Sequence, residues 1–232
     1  MSTDKDTWLI TGAGGFVGQA LASTLLNEDL VSRLILVDLQ EPPVPKATGR
    51  DASVTSISAD LTSQPTIEAT FKPELTCIYL LHGIMSSQAE GDLDLGLKVN
   101  IDSNRLILDH LRKTNPGVTV VFTSSTAVYG PPAGPDSILS ETTAADPQSS
   151  YGAQKHIAET LVNDYSRRGL LDGRVVRLPT VGLSSLMTFC SLFPHFLHRT
   201  SYSKFMIDRS LSGQVNPLAL HHPSHLASSE SR

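Results

Sequence analysis

The stretch TGAGGFVG, residues 11–18, constrains this chain more than any other. Its glycines fall as G-x-x-G-x-x-G, at Gly12, Gly15 and Gly18. Before it stands the short apolar run WLIT (8–11); after it Phe16, Ala20, Leu21 and Leu25 recur at helical spacing. A second apolar run, RLILVDL (33–39), follows and carries Asp38, twenty residues past Gly18. Strand, glycine turn, helix and strand in this order describe a loop that brings backbone N–H groups to a pyrophosphate at a helix N-terminus. Within that loop Gly12, Gly15, Phe16, Val17 and Gly18 are the expected cofactor contacts. An acid at the end of the second strand accepts hydrogen bonds from ribose hydroxyls and repels a 2′-phosphate. Leu39, not an arginine, follows Asp38, so NAD is expected rather than NADP. The plainer alternative is a structural glycine turn beside an ordinary exposed aspartate.

The remaining pattern continues the alternation. SVTSIS (53–58), CIYLL (77–81), VTVVFTSS (118–125) and RVVRLPT (174–180) read as strands three to six. EPPVPKATGRD is a proline-rich loop between strands two and three. A long helix is expected from about Asp92 to Thr114, with Leu97, Ile101, Asn104, Leu108 and Leu111 inward and NPG as its stop. A second covers about 149–168, with Ile157, Leu161 and Tyr165 in one stripe. Alternating strands and helices imply a doubly wound α/β sheet of the Rossmann type. Asp60, ending the third strand, and Leu61 are placed to meet an adenine ring; a role near a helix N-cap explains Asp60 equally well.

Beyond about residue 183 the periodicity fades. The expected division is a nucleotide-binding domain at 1–183 and an irregular tail at 184–232, with one short helix near 186–198. The HHPSH cluster (His221, His222, His225) lacks a frame and a completing cysteine or acid, so no metal site is expected. The formal net charge of -5 argues against a broad nucleic-acid or anionic-membrane surface. Cys77 and Cys190 suit a reducing compartment, and neither a signal peptide nor a run of roughly 18 apolar residues is seen. The cytoplasm is the expected setting.

The helix at 149–168 opens with Tyr151 and places Lys155 four residues on, hence on the same face. A phenol ionises near pH ~10, too high for a base at neutral pH. Lowering that by about 3 units takes about 4 kcal/mol, which two nearby cations, the lysine and an oxidised nicotinamide, can supply. The phenolate then takes a proton from a substrate alcohol as hydride leaves its carbon. Ser125 stands at the carboxyl end of the fifth strand, where open α/β sheets bind ligands, and its hydroxyl can orient the substrate oxygen. Ser124 or Thr126, one position away, are the alternatives. Alone, Y-x-x-x-K most often marks a solvated helical pair; the glycine turn, the acid and the serine give it context.

TGAGGFVG, VFTSSTAVYG and YGAQK, in that order and spacing, resemble the extended short-chain dehydrogenase/reductase family. DLDLGLKVN, PQSSYGAQK and DYSRRGLLDGRVVRLPT look more narrowly like its D-erythronate dehydrogenase branch, of the NAD-dependent epimerase/dehydratase type, over about residues 7–181. The resemblance implies NAD-dependent oxidation of a four-carbon sugar acid, or a related hydroxy acid, to a keto acid. It assigns Ser125, Tyr151 and Lys155 as the catalytic set, with Asn100 steadying the site; an amide pinning neighbouring backbone explains Asn100 as well. Tyr151 and Lys155 also meet the cofactor, Pro179 and Thr180 fall at the nicotinamide carboxamide, and Ser86, Ser87, Ser125 and Thr126 fall near substrate. Homodimerisation through the two long helices is a further implication. Thr126-Ala127 replaces the acid pair of the family's dehydratases, so dehydration is not expected. His82 is a departure in this loop, where the broader family often has small residues. The tail does not resemble the family's substrate-binding C-terminal domain, so weak or absent activity is expected. An NAD-retaining sugar epimerase and a non-catalytic NAD-binding fragment are the alternatives.

Overall fold

A computed structural model describes residues 6–46, 52–131, 134, 139–179 and 204–206 of the 232. The six strands that the sequence predicts are present, with helices, among the described residues, between all but β2 and β3: β1 (Thr7–Thr11), β2 (Arg33–Asp38), β3 (Ser53–Ser58), β4 (Leu75–Leu80), β5 (Thr119–Ser125) and β6 (Asp172–Leu178). They pair in parallel, and a short β7 (Lys204–Met206) adds to the β6 edge, giving the order β3-β2-β1-β4-β5-β6-β7. This is the expected doubly wound α/β sheet. β7 falls in the segment read from sequence as irregular, whereas Thr180, Cys190, the expected helix near 186–198 and the histidine cluster lie outside the described residues.

The inner strands are largely apolar because both faces are covered, whereas the edge strand β3 (SVTSIS) has no fully buried residue; the strands' period of two sorts the core. Leu9, Val37, Ile78, Leu80, Val120, Phe122 and Val175 face α2 (Gln64–Thr70), α5 (Ser103–Thr114) and α6 (Ser150–Arg167). Trp8, Ile10, Leu34, Leu36, Tyr79, Val121 and Val176 face the other way, where Leu21, Ala22, Leu25 and Leu26 of α1 (Phe16–Asn27) meet them.

The expected helix at 92–114 is present as one helical run, residues 93–114, with a π-helical turn inside it. A short α3 (Ser86–Gly91) ends at Asp92, whose extended backbone (φ -139°) and carboxylate, accepting from Leu95 N at 2.9 Å, open α4 (Leu93–Gly96). A π-helical turn (Leu97–Asp102) then leads into α5. A π-turn inserts a residue into the helical repeat and shifts the phase of everything before it. The predicted inward face therefore holds only downstream: Asn104, Leu108 and Leu111 are buried, but Leu97 is 38% exposed and Asn100 is buried in its place at 1%. The stripe predicted on α6 also shifts. Ile157 is 45% exposed, while Lys155, Ala158, Glu159, Val162 and Ser166 face inward. The polar members of that face have partners. Glu159 receives both Nε (2.9 Å) and Nη2 of Arg177 in a buried ion pair, and Arg177 lies 4.7 Å from the centroid of the Tyr129 ring. Ser166 Oγ accepts from Gly173 N at 3.2 Å. No described helix is long and apolar enough to cross a membrane.

Candidate active site

β1 pairs with β2 on one side and β4 on the other. At this switch point the loops leaving β1 and β4 diverge, and the carboxyl ends of the strands border a crevice. The glycine turn fills its floor. Gly12 has φ +66°, and a Cβ there would lie 2.8 Å from the backbone N of His82 in the loop after β4. A Cβ on Gly18 would lie 2.4 Å from Gly12 O, so α1 packs on the turn only without one. Gly15 is the N-cap of α1 and places no side chain over the first N–H groups, which remain for an anion. Phe16 is 48% exposed, and Val17 packs partly into the α1-side core. The Asp38 carboxylate accepts from Gly14 N (2.9 Å) and Leu39 N (2.7 Å), which ties the tip of β2 to the turn. Gln19 Nε2 donates to Ala13 O (2.7 Å) and Pro43 O (2.9 Å), pinning the proline-rich loop alongside. These features fit a dinucleotide: a side-chain-free cradle, unfilled helix amides and an acid at the ribose position.

Asp60 is exposed, and its Oδ1 accepts from Thr62 N (2.9 Å) and Thr62 Oγ1 (2.7 Å). Those bonds, the backbone one foremost, hold its carboxyl below the usual range. This is the geometry of its local, turn-closing alternative, and Leu61 is buried in the core beside it. Pro179 follows β6 directly and is half-buried. Ser86 and Ser87 are exposed in the first turn of α3.

Ser125 and Tyr151 meet. Ser125 ends β5 and Tyr151 sits in the first turn of α6; the serine hydroxyl lies close enough to the phenol to act on its ionisation, and accepts from Ala127 N at 3.1 Å. The approach depends on Gly152, where a Cβ would lie 2.5 Å from the carbonyl of Ala127 in the 3₁₀ turn Thr126–Tyr129. Sequence reading missed Gly152, although a glycine next to the tyrosine at a helix start was its signal. The start is further held by Ser149 Oγ accepting from Gly152 N (3.1 Å) and by the Glu90 carboxylate accepting from Ser150 N (2.9 Å). Thr126, half-buried, opens the 3₁₀ turn beside Ser125.

Lys155 lies one turn below, 5% exposed. Its Nζ donates to Thr123 O at 2.9 Å and stands 5.0 Å from the centroid of the Phe122 ring and 5.8 Å from that of Tyr151. Burial pushes this amine down to about 8. Burial likewise pushes the Tyr151 phenol above its ordinary value, with the Ser125 hydroxyl pulling the other way. The lowering expected from sequence is therefore not produced by Lys155 alone.

Asn100 reaches this cluster through its amide. Oδ1 accepts from Ile84 N (2.9 Å), while Nδ2 donates to Ile84 O (3.2 Å) and to Gln154 Oε1 (2.8 Å). Its side chain thus pins the loop after β4 to α6, the alternative that the sequence left open. Gln154, next to Lys155 and 2% exposed, had gone unnoticed. His82 completes the layer. Its Nδ1 is 2.8 Å from Thr11 Oγ1 and its Nε2 2.8 Å from Ser103 Oγ. Among the described residues no group of three or more metal-ligating side chains occurs.

Sheet order and glycine turn together define a Rossmann-type nucleotide-binding protein. The model of the NAD dependent epimerase/dehydratase family matches residues 8–199, and the chain belongs to that family. It is 40% identical over 184 residues to D-erythronate dehydrogenase of Cupriavidus necator, covering 75% of this chain and 55% of that protein. To the D-erythronate dehydrogenase of Haemophilus influenzae it is 43% identical over 175 residues, covering 75% and 54%. The chain thus spans about half the length of the curated relatives it matches. Among solved structures, a nucleoside-diphosphate-sugar epimerase from Agrobacterium tumefaciens superposes with a TM-score of 0.66 at 36% identity, over 76% of this chain and 53% of that one. MoeE5 in complex with UDP-glucose and NAD superposes with a TM-score of 0.62 at 27% identity, over 74% and 54%.

Proposed function

We propose that this chain carries the NAD-binding and proton-transfer half of a cytoplasmic dehydrogenase that oxidises a small sugar acid of the D-erythronate type to a keto acid. The observation that carries the reading is the juxtaposition of Ser125 at the end of β5, Tyr151 at the start of α6 and the buried Lys155 one turn below, 5.8 Å from the Tyr151 ring, at the carboxyl ends of the strands as is the glycine turn. Gly12, Gly15, Phe16, Val17 and Gly18 would cradle the pyrophosphate, Asp38 the adenosine ribose, Asp60 and Leu61 the adenine, and Pro179 the nicotinamide end. NAD, when bound, supplies the hydride acceptor. Tyr151 takes the proton of the substrate alcohol, and Ser125 orients that oxygen by donating to it. Lys155 stabilises the phenolate and holds ribose. Asn100 keeps the loop after β4 against α6, and Ser86, Ser87 and Thr126 border the substrate. The two dehydrogenases at 40% and 43% identity support the substrate class.

The A. tumefaciens epimerase favours a second reading, a sugar epimerase that keeps its NAD. The coverage of about half of each curated relative favours a third, a unit that binds NAD without turning over. NADH fluorescence titration, followed by D-erythronate with NAD, separates the three. The dehydrogenase releases NADH, seen at ~340 nm; the epimerase converts a nucleotide sugar without releasing it; the bare unit only binds. Tyr151→Phe should leave NADH affinity within about twofold while turnover falls about 10²- to 10⁴-fold. Absence of NADH binding to the wild-type chain stripped of any retained nucleotide refutes all three. A homodimer through the helix at 93–114 and α6 belongs to the same reading, supported by the exposure of Leu93, Leu97 and Ile157, and light scattering tests it.

A further inference from the structure

We propose that His82 is a positioning residue that holds the phosphate turn and the π-helical segment in one register, so that occupancy of the first is coupled to the geometry of the second. The inference rests on the cofactor reading above. His82 is the second residue after β4, in the loop that faces the glycine turn across the switch point. Its ring joins two elements far apart in sequence. On one side is Thr11, the last residue of β1 and immediate neighbour of Gly12. On the other is Ser103, the first residue of α5, whose hydroxyl donates to Val99 O inside the π-turn at 2.6 Å.

The proton assignment follows from the partners. A hydroxyl has one hydrogen. That of Ser103 is committed to Val99 O, so His82 Nε2 must donate to Ser103 Oγ. Thr11 Oγ1 already accepts from Leu81 N at 3.1 Å, and its own hydrogen has His82 Nδ1 at 2.8 Å as a nearer acceptor than Tyr79 O at 3.2 Å. The imidazole is thus neutral in one tautomer, a donor on one side and an acceptor on the other. Burial, and then the Lys155 charge, push its pKa to about 3, which keeps it neutral across the working range. The line Thr11–His82–Ser103–Val99 ends beside Asn100, whose amide holds Ile84 and Gln154. A shift of the phosphate turn is carried along this line to the segment beside Lys155.

The test measures binding, not turnover. Calorimetric titration with ADP-ribose and with NADH is run on wild type, His82→Phe, Ser103→Ala and Ser103→Thr, each checked for a cooperative melt. Ser103 lies outside the phosphate cradle. Its replacement by alanine should still weaken ADP-ribose by about 3- to 10-fold, the size of one lost hydrogen bond. Ser103→Thr, which keeps the hydroxyl, should restore it, and His82→Phe should lose at least as much as Ser103→Ala. Nitrogen-15 spectra should show one imidazole as the neutral Nε2–H form down to about pH 5, absent from His82→Phe. Unchanged ADP-ribose affinity in both folded variants overturns the inference, as does a loss in Ser103→Ala that threonine fails to restore. Absence of any NADH binding to wild type instead overturns the cofactor reading itself, and this inference with it.

Discussion

Replacing the buried amine at the centre of the site should make the protein more stable. In the fold, Lys155 moves from its ordinary 10.5 to about 8. At 1.36 kcal/mol per pKa unit, burying the ammonium costs about 3 kcal/mol near pH ~7. Lys155→Met removes that cost. The same change gives up the bond to Thr123 O (2.9 Å), worth about 1 kcal/mol. A thioether between the Phe122 and Tyr151 rings keeps the packing. The net expectation is a gain of about 1–2 kcal/mol near pH ~7. The gain depends on pH. Between about 8 and 10.5 the unfolded chain holds the lysine proton that the folded chain has released, so wild-type stability from this group rises through that window. Cys77, pushed from 9.0 to about 12 by burial, acts the other way above about 9, because the fold keeps a thiol proton that the unfolded chain loses. Subtracting wild type from variant cancels Cys77. Urea denaturation followed by the single, buried Trp8 gives the difference directly. The variant's advantage should shrink from about pH 8 upward and be gone by about 10.5. A variant less stable than wild type near pH ~7, or an advantage that does not change with pH, refutes the reasoning.

Three further outcomes follow from the packing. Gly152→Ala should lower stability by about 1–3 kcal/mol in urea, despite alanine's better helix propensity, because its Cβ would lie 2.5 Å from Ala127 O; a stabilised variant contradicts this. Glu159→Gln should cost about 3–5 kcal/mol by leaving Arg177 buried without its charge partner, and Glu159→Leu combined with Arg177→Met should recover most of that in the same assay. Below about pH 6 wild type should lose about 1.4 kcal/mol per pH unit more than His82→Gln, since the folded imidazole, at about 3, refuses the proton that the unfolded one takes; equal slopes would show that His82 is not held neutral.

The sheet was legible because its strands are continuous apolar runs bounded by turn residues, and strands one to six fall within two residues of their expected limits. The placement of the candidate site's residues was legible where a motif has a local cause: a glycine turn before a helix, an acid at the end of a strand, a tyrosine and a lysine one turn apart. What stayed hidden depends on residues far apart in sequence. The π-turn at Leu97–Asp102 leaves no periodic mark, and its phase shift exchanged Leu97 for Asn100 on the inner face. Ile157 looked like core by hydropathy, yet α6 turns its Glu159 side inward because Arg177 of β6 waits there. Gly152 signals itself only once Ala127 is known to lie against it. His82 and Gln154 take their meaning from partners some 21 to 71 positions away.

The crevice between the loops leaving β1 and β4 has a consequence for how such a protein can change. It is opened by the route of the main chain, outward in two directions from adjacent strands, and no side chain was removed to make it. Substitution can therefore alter what is admitted far more readily than where it rests. Bulk added at Gly12 or Gly18 runs into main-chain atoms that have nowhere to retreat, whereas Ser86 and Ser87 at the outer lip meet open water and are free to vary. Retuning toward a different guest should begin at that lip, with the floor left as it is.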